Sequence, residues 1–93
     1  MKQQEIMKSL SKWGKFFEVT EVIGTYRGYR KSENGEIQEV NIEILDLGDT
    51  HQKQRYVVQA KPLNSKLEDI IATGNPEESI EIAICTTHWN KLD

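Results

Sequence analysis

The chain has 93 residues, 37% of them hydrophobic and 29% charged, which predicts one small globular domain over residues 1–93. No apolar run approaches the roughly 20 residues that span a bilayer, so we expect no membrane partner. The opening MKQQEIMKSLSKW lacks the apolar stretch of a secretory signal, and a single cysteine, Cys85, allows no internal disulfide. These features predict a cytoplasmic protein. The formal charge of −3 argues against a protein that coats nucleic acid by bulk charge alone.

Charge changes sign in blocks along the chain. Residues 1–15 and 51–66 are mainly basic, whereas residues 32–50 and 67–81 are mainly acidic. A local basic surface is therefore compatible with a net negative domain.

The opening segment predicts a helix over residues 1–14. Ile6, Leu10, Trp13 and Phe17 recur at the spacing of one helical face, and Gly14 is a natural stop. We expect this face to pack on the rest of the domain. A mobile or partner-binding helix is the alternative.

The stretch from Phe16 to Arg30 is rich in aromatic and β-branched residues, which favours a strand. Its alternation changes phase near Glu21, and two glycines follow, which predicts a bulged and strongly bent strand. The Asn34-Gly35 pair then indicates a hairpin that leads into a second strand, Ile37–Leu47.

The hairpin register follows from matching the apolar faces of the two strands, since a one-residue slip exchanges the faces. A two-residue loop would place Arg27 on the core face. A three-residue loop with its glycine in the left-handed conformation instead pairs Tyr26 with Ile42. The same register pairs Gly24 with Ile44 and Val22 with Asp46, and it leaves Arg27 and Tyr29 on the outer face.

Three further elements are predicted after a polar loop. The third strand covers Arg55–Lys61, with Tyr56, Val58 and Ala60 inward and Pro62 as its end. Apolar residues at helical spacing predict a helix between Leu63 and Gly74. The alternation of Ile80, Ile82 and Ile84 predicts a fourth strand, which the tail TTHWNKLD extends or turns back on.

This order of elements resembles an OB-fold, the small barrel with a helix between its third and fourth strands. VTEVIGTYRGYR, the NGE turn, NIEILDLGD followed by RYVVQAK, and IEIAICTTHW are similar to single-stranded-DNA-binding proteins of this fold. The prediction is thus a mainly β domain, α+β by content: a small OB-like barrel or strongly bent sheet over 16–92, preceded by a helix. If no fifth strand follows Trp89, the alternative is an α+β domain with a meander sheet and two helices.

The resemblance implies a face on which aromatic side chains stack on bases and basic side chains follow the phosphates of single-stranded nucleic acid. The candidates for this role are Arg27, Tyr29, Arg30, Lys31, Lys53, Arg55, Lys61, Trp89 and Lys91. The outer positions of the second strand argue against it, because Glu39 and Glu43 would repel phosphates or pair with Arg27 as cross-strand partners.

Patterns for catalysis and metal binding are poor. Cys85 and His88 are three residues apart, which would place them on opposite faces of a strand, and no further ligands complete a zinc site. Glu39 and Glu43 would stand about 13 Å apart at roughly 3.3 Å per residue. We expect a binding domain without enzyme activity, metal or cofactor.

A protein-interaction module is the competing prediction. Trp13, Phe16 and Phe17 mark an interface if they are exposed and belong to the core if they are covered. Acidic surfaces would suit a basic protein partner, and open sheet edges would favour a homodimer.

Overall fold

The computed structural model of the protein describes residues 2–63 and 70–93. The described residues form two α-helices and four β-strands, with short 3₁₀ turns at Asp49–His51 and Trp89–Leu92. In chain order the elements are α1 (Gln3–Gly14), β1 (Glu21–Lys31), β2 (Ile37–Asp46), β3 (Tyr56–Pro62), β4 (Ala72–Thr73) and α2 (Ile80–Thr86). The strands form one antiparallel sheet in the order β1-β2-β3-β4, which gives a mixed α and β fold.

The pairing of β1 with β2 follows the predicted register over most of its length. Tyr26 lies opposite Ile42 and Gly24 lies opposite Ile44. The expected bulge is present, because the register shifts between Val22 and Gly24. Val22 consequently lies opposite Leu45, and its predicted pairing with Asp46 is wrong.

The turn between these strands is the predicted three-residue loop. The backbone N–H of Ser32 donates to the carbonyl of Glu36 at 2.8 Å, which closes the loop. Gly35 has φ +89°, the left-handed region that glycine enters without a steric penalty.

The core lies on one face of the sheet, beneath α2 and the C-terminal residues. Buried side chains of β2 and β3 pack there against residues from β4, α2 and the tail. They are Val40, Ile44, Val58, Ala60, Ala72, Ala83 and Leu92. Tyr56, predicted to face inward from β3, is half-buried beside this core.

The sheet does not close into a barrel within residues 2–63 and 70–93. β1 lies at one edge and the short β4 lies at the other. Glu77 continues the second edge, because it exchanges two backbone hydrogen bonds of 2.9 Å with Tyr56. The observed order is therefore that of a meander sheet.

The helix expected between Leu63 and Gly74 falls largely on residues 64–69, which lie outside the described residues. The last part of this predicted helix is wrong, because Ala72–Thr73 forms β4 and pairs with Gln59 and Ala60 of β3. Ala72 and Ala60 are both fully buried, and their small side chains allow this close approach. The Thr73 hydroxyl also donates to the carbonyl of Val58 at 3.0 Å.

The predicted fourth strand is wrong, since Ile80–Thr86 is the helix α2. Ser79 caps it: the side-chain oxygen accepts a hydrogen bond from the N–H of Ile82 at 3.1 Å. Ala83 is buried in the core, whereas Ile82 and Ile84 are exposed. The short apolar alternation therefore belongs to a helix with a narrow buried face.

The first helix lies less deeply on the domain than its apolar pattern predicts. Ile6 and Leu10 remain partly exposed, and none of the residues of α1 is buried. Gly14 is its last residue, but Lys15 takes the left-handed conformation that ends it. The following strand begins at Glu21 rather than at Phe16. No helix in the described part of the chain is long and apolar enough to cross a membrane.

Candidate functional site

The sheet has two chemically different faces. The covered face carries the core, under α2 and Trp89–Leu92. Strand alternation places the neighbouring side chains on the opposite side, here called the open face. The open face consists of Thr25, Arg27, Tyr29 and Lys31 of β1, Ile37, Glu39, Asn41, Glu43 and Leu45 of β2, and Val57, Gln59 and Lys61 of β3.

One end of the open face is charged. Arg27, Asn41 and Lys61 lie side by side across the three strands. The Arg27 guanidinium forms an ion pair with Glu39 at 2.5 Å, the partnership expected from the sequence. Tyr29 lies opposite Glu39 and is 70% exposed. The structure thus brings together four of the predicted nucleic-acid contacts on one face: Arg27, Tyr29, Lys31 and Lys61.

The other predicted nucleic-acid contacts do not join this group. Arg30 faces the other side of β1, where its Nη1 lies 3.0 Å from an Asp93 carboxylate oxygen. Lys53 lies in the loop before β3, and Lys91 lies in the C-terminal 3₁₀ turn. Trp89 packs against both halves of the core and donates its ring N–H to the carbonyl of Ile84 at 3.0 Å.

Arg55 is committed to a structural ion pair. Its Nε and Nη2 donate to the two Asp46 carboxylate oxygens at 2.8 and 2.9 Å, and its guanidinium lies 5.2 Å from the ring centre of Tyr56. Gln3 and the N–H of Gly48 also donate to Asp46. The Arg55 hydrogen bonds, and then those from Gln3 and Gly48, lower the pKa of Asp46 from 3.8 to about 2, although burial opposes the shift. The same pair raises the pKa of Arg55.

The other end of the open face is apolar and borders a cleft of about 740 Å³. We call it the aromatic cleft. Phe17 at its rim is fully exposed and Phe16 is 55% exposed, so both predicted interface residues are at the surface. The cleft is lined by Phe16, Phe17, Glu18, Thr20, Leu45, Leu47, Val57, Gln59 and Pro76.

Trp13, the third predicted interface residue, is 78% exposed but does not line the aromatic cleft. It lies on α1 with the Lys12 ammonium 5.0 Å from its ring centre.

The wall of the cleft that the sheet provides is absent from the residues predicted from the sequence. Leu45 and Val57 are apolar although they adjoin the inward-facing Ile44 and Val58. Apolar residues on both faces at the same end of two paired strands were the available signal.

Within the described residues, no group of three or more histidine, cysteine and carboxylate side chains could hold a metal ion. Cys85 is exposed near the end of α2, so its predicted position on a strand is wrong. The backbone N–H of His88 donates to the carbonyl of Thr73 at 3.0 Å.

Comparison of the chain with protein-family models, with curated proteins and with solved structures finds no match.

Proposed function

We propose that this protein is a non-catalytic protein-interaction module that binds an apolar segment of a partner in the aromatic cleft. The observation that carries the proposal is the full exposure of Phe17 beside the cleft that Leu45, Leu47 and Val57 line. Aromatic side chains are enriched in protein interfaces, and contiguous exposed apolar surface marks interaction sites.

The charge around the cleft favours a partner with basic residues beside its apolar anchor. Glu18 lines the cleft, and the chain has a formal charge of −3. Complementary charge accelerates association and selects among partners more than it adds affinity. Burial of the two phenylalanine rings would favour binding by roughly 25 cal/mol per Å² of apolar surface, before the entropic cost of association is subtracted.

The proposal is tested by panning short random peptides against the protein and measuring the selected peptides by fluorescence anisotropy. We expect an aromatic or aliphatic anchor in the selected peptides. Phe17→Ser should weaken their binding by about tenfold or more, since truncation of a central interface anchor typically costs about 2 kcal/mol or more.

Tyr29→Ser is the matched control, because it removes an exposed aromatic ring from β1 outside the aromatic cleft. Its affinity for the selected peptides should equal that of the unaltered protein. Equal binding by Phe17→Ser, or a failure to select any binder, would contradict the proposal.

Single-stranded nucleic-acid binding is the second candidate, at the charged end of the open face. It is favoured by the placement of Arg27, Tyr29 and Lys61 on that one face, and by the resemblance to OB-fold proteins, which stays a proposal. It is opposed by Glu39, whose carboxylate pairs with Arg27 in the middle of the group.

An anisotropy titration with a labelled single-stranded oligonucleotide tests this second candidate. Binding through phosphates should weaken steeply between about 50 and 200 mM salt, and Arg27→Ala or Lys61→Ala should each reduce the salt slope by about one. Lys8→Ala on α1 is the control and should leave the slope unchanged. No binding at about 50 mM salt would exclude the candidate.

A further inference from the structure

The first helix and the residue that ends it carry a basic charge that the rest of the chain does not. Residues 2–15 hold four of the twelve lysines and arginines and only one of the fifteen acidic residues. The remaining residues are therefore strongly acidic in sum. Such a division of charge orients a molecule in the field of an anionic surface, with its basic part toward that surface.

Exposed apolar side chains lie on the same helix. Ile6, Leu10 and Trp13 follow one another at intervals of four and three residues, which places them along one side of α1. Their exposed fractions are 43%, 43% and 78%. The domain therefore leaves this apolar stripe about half uncovered, and least covered at Trp13.

The hydrogen bonds that hold α1 on the domain come from its first turn. Gln3 donates to the Asp46 carboxylate at 2.7 Å, and Gln4 donates to the carboxylate of Asp49. In the last turn the Lys12 ammonium lies 5.0 Å from the ring centre of Trp13, and both residues are exposed. An indole ring beside a lysine ammonium is the combination found where a protein meets the headgroups of a bilayer.

We propose that α1 binds the surface of an anionic lipid bilayer. Ile6, Leu10 and Trp13 lie against the boundary of the acyl chains, and the exposed lysines contact the headgroup phosphates. These lysines are Lys2, Lys8, Lys12 and Lys15. A helix that lies on a bilayer needs no membrane-spanning length, so the short apolar runs of the sequence do not oppose it. The proposal goes beyond the proposed function, because none of the residues that line the aromatic cleft belongs to α1.

The aliphatic part of the stripe favours a bilayer over other anionic partners. The bases of a single-stranded nucleic acid stack on aromatic rings, which would leave Ile6 and Leu10 without a partner. A folded acidic protein would need a groove complementary to the stripe. The interface of a bilayer accepts aliphatic and aromatic side chains together and needs no such groove.

Co-sedimentation of the full chain with lipid vesicles is the first test. We expect binding to vesicles of phosphatidylcholine with about one third phosphatidylserine, and at least about tenfold weaker binding to phosphatidylcholine alone. Binding should weaken between about 50 and 200 mM salt, because salt screens the attraction of the lysines. No binding to the anionic vesicles at about 50 mM salt, or equal binding to both kinds of vesicle, would overturn the proposal.

Substitutions locate the contact. Lys12→Gln and Lys15→Gln should each weaken binding to the anionic vesicles by about fivefold. Leu10→Ser should weaken it by a similar factor, because it removes apolar surface from the stripe. Lys53→Gln is the matched control, since Lys53 is an exposed lysine in the loop before β3, and it should bind like the unaltered protein. Equal losses in Lys12→Gln and Lys53→Gln would overturn the assignment to α1.

Tryptophan fluorescence tests which side of α1 meets the lipid. Trp89 packs against the core, so a shift to shorter wavelength with anionic vesicles should come from Trp13. Trp13→Phe should abolish the shift and keep binding within about twofold, because phenylalanine retains an apolar ring. A shift that persists in Trp13→Phe would contradict the proposed contact.

Soluble polyanions separate a bilayer from the other anionic partners. Polyglutamate or a single-stranded oligonucleotide that bound more tightly than the vesicles, with the same loss in Lys12→Gln, would assign α1 to an acidic protein or to nucleic acid and overturn the proposal. Leu10→Ser should bind the peptides selected for the aromatic cleft as well as the unaltered protein does. Vesicle binding and peptide binding are therefore separate outcomes.

Discussion

At the scale of single residues, Asp46 joins more segments than any other side chain described above. Its carboxylate accepts hydrogen bonds from Gln3 on α1, from Gly48 in the turn and from Arg55 before β3. It is 4% exposed. Asp46→Asn removes the negative charge and leaves the Arg55 guanidinium without its partner. We expect the free energy of unfolding in urea to fall by about 2 kcal/mol near pH 7.

The pH dependence of stability provides the check. The pKa of Asp46 is depressed from 3.8 to about 2, so the contribution of the ionised carboxylate is complete above about pH 4. It is lost as the pH falls toward 2. Asp46→Asn should therefore show a shallower loss of stability over this interval than the unaltered protein. Glu33→Gln, at an exposed carboxylate, should keep the original profile, and identical profiles for all three would contradict the assignment.

At the scale of elements, α2 depends on its N-cap more than a longer helix would. It has seven residues, and Ser79 accepts the hydrogen bond from Ile82 that satisfies one of its first backbone donors. Ser79→Ala should lower the free energy of unfolding by about 1 kcal/mol, measured by urea titration. Ser79→Asn should retain most of the stability because asparagine is an equally good cap. Equal losses in both variants would show that the cap is not the cause.

The sequence predicted the strands better than the elements that cover them. β1 and β2 were found because the Asn34-Gly35 turn and the alternation of apolar residues specify one register. α2 was mistaken for a strand because three isoleucines at alternate positions are compatible with both the strand and the helix periodicity over so short a run. Tertiary packing decides between helix and strand for this segment, because the small side chain of Ala83 packs against Ile44 and Val58 of the sheet.

At the scale of the whole molecule, fewer basic side chains are available to bind an anionic ligand than their number in the sequence suggests. Arg27, Arg30 and Arg55 each pair with a carboxylate. Two of these carboxylates, Glu39 and Asp46, lie within the acidic block 32–50, and the third, Asp93, is distant in sequence. Composition alone does not show which charges neutralise one another. By contrast, the sequence left two possibilities for Phe16 and Phe17, an exposed interface or a covered core. The structure places both side chains at the surface.

The bulge in β1 determines which residues of β2 lie opposite the first residues of β1. With Ile23 as an extra residue, Val22 is opposite Leu45 and Glu21 is opposite Asp46. Deletion of Ile23 would leave both of these pairs unchanged, whereas a regular strand that retained Ile23 would place Ile23 opposite Leu45 and Val22 opposite Asp46. The one extra residue thus keeps Val22 beside the apolar Leu45, which lines the aromatic cleft.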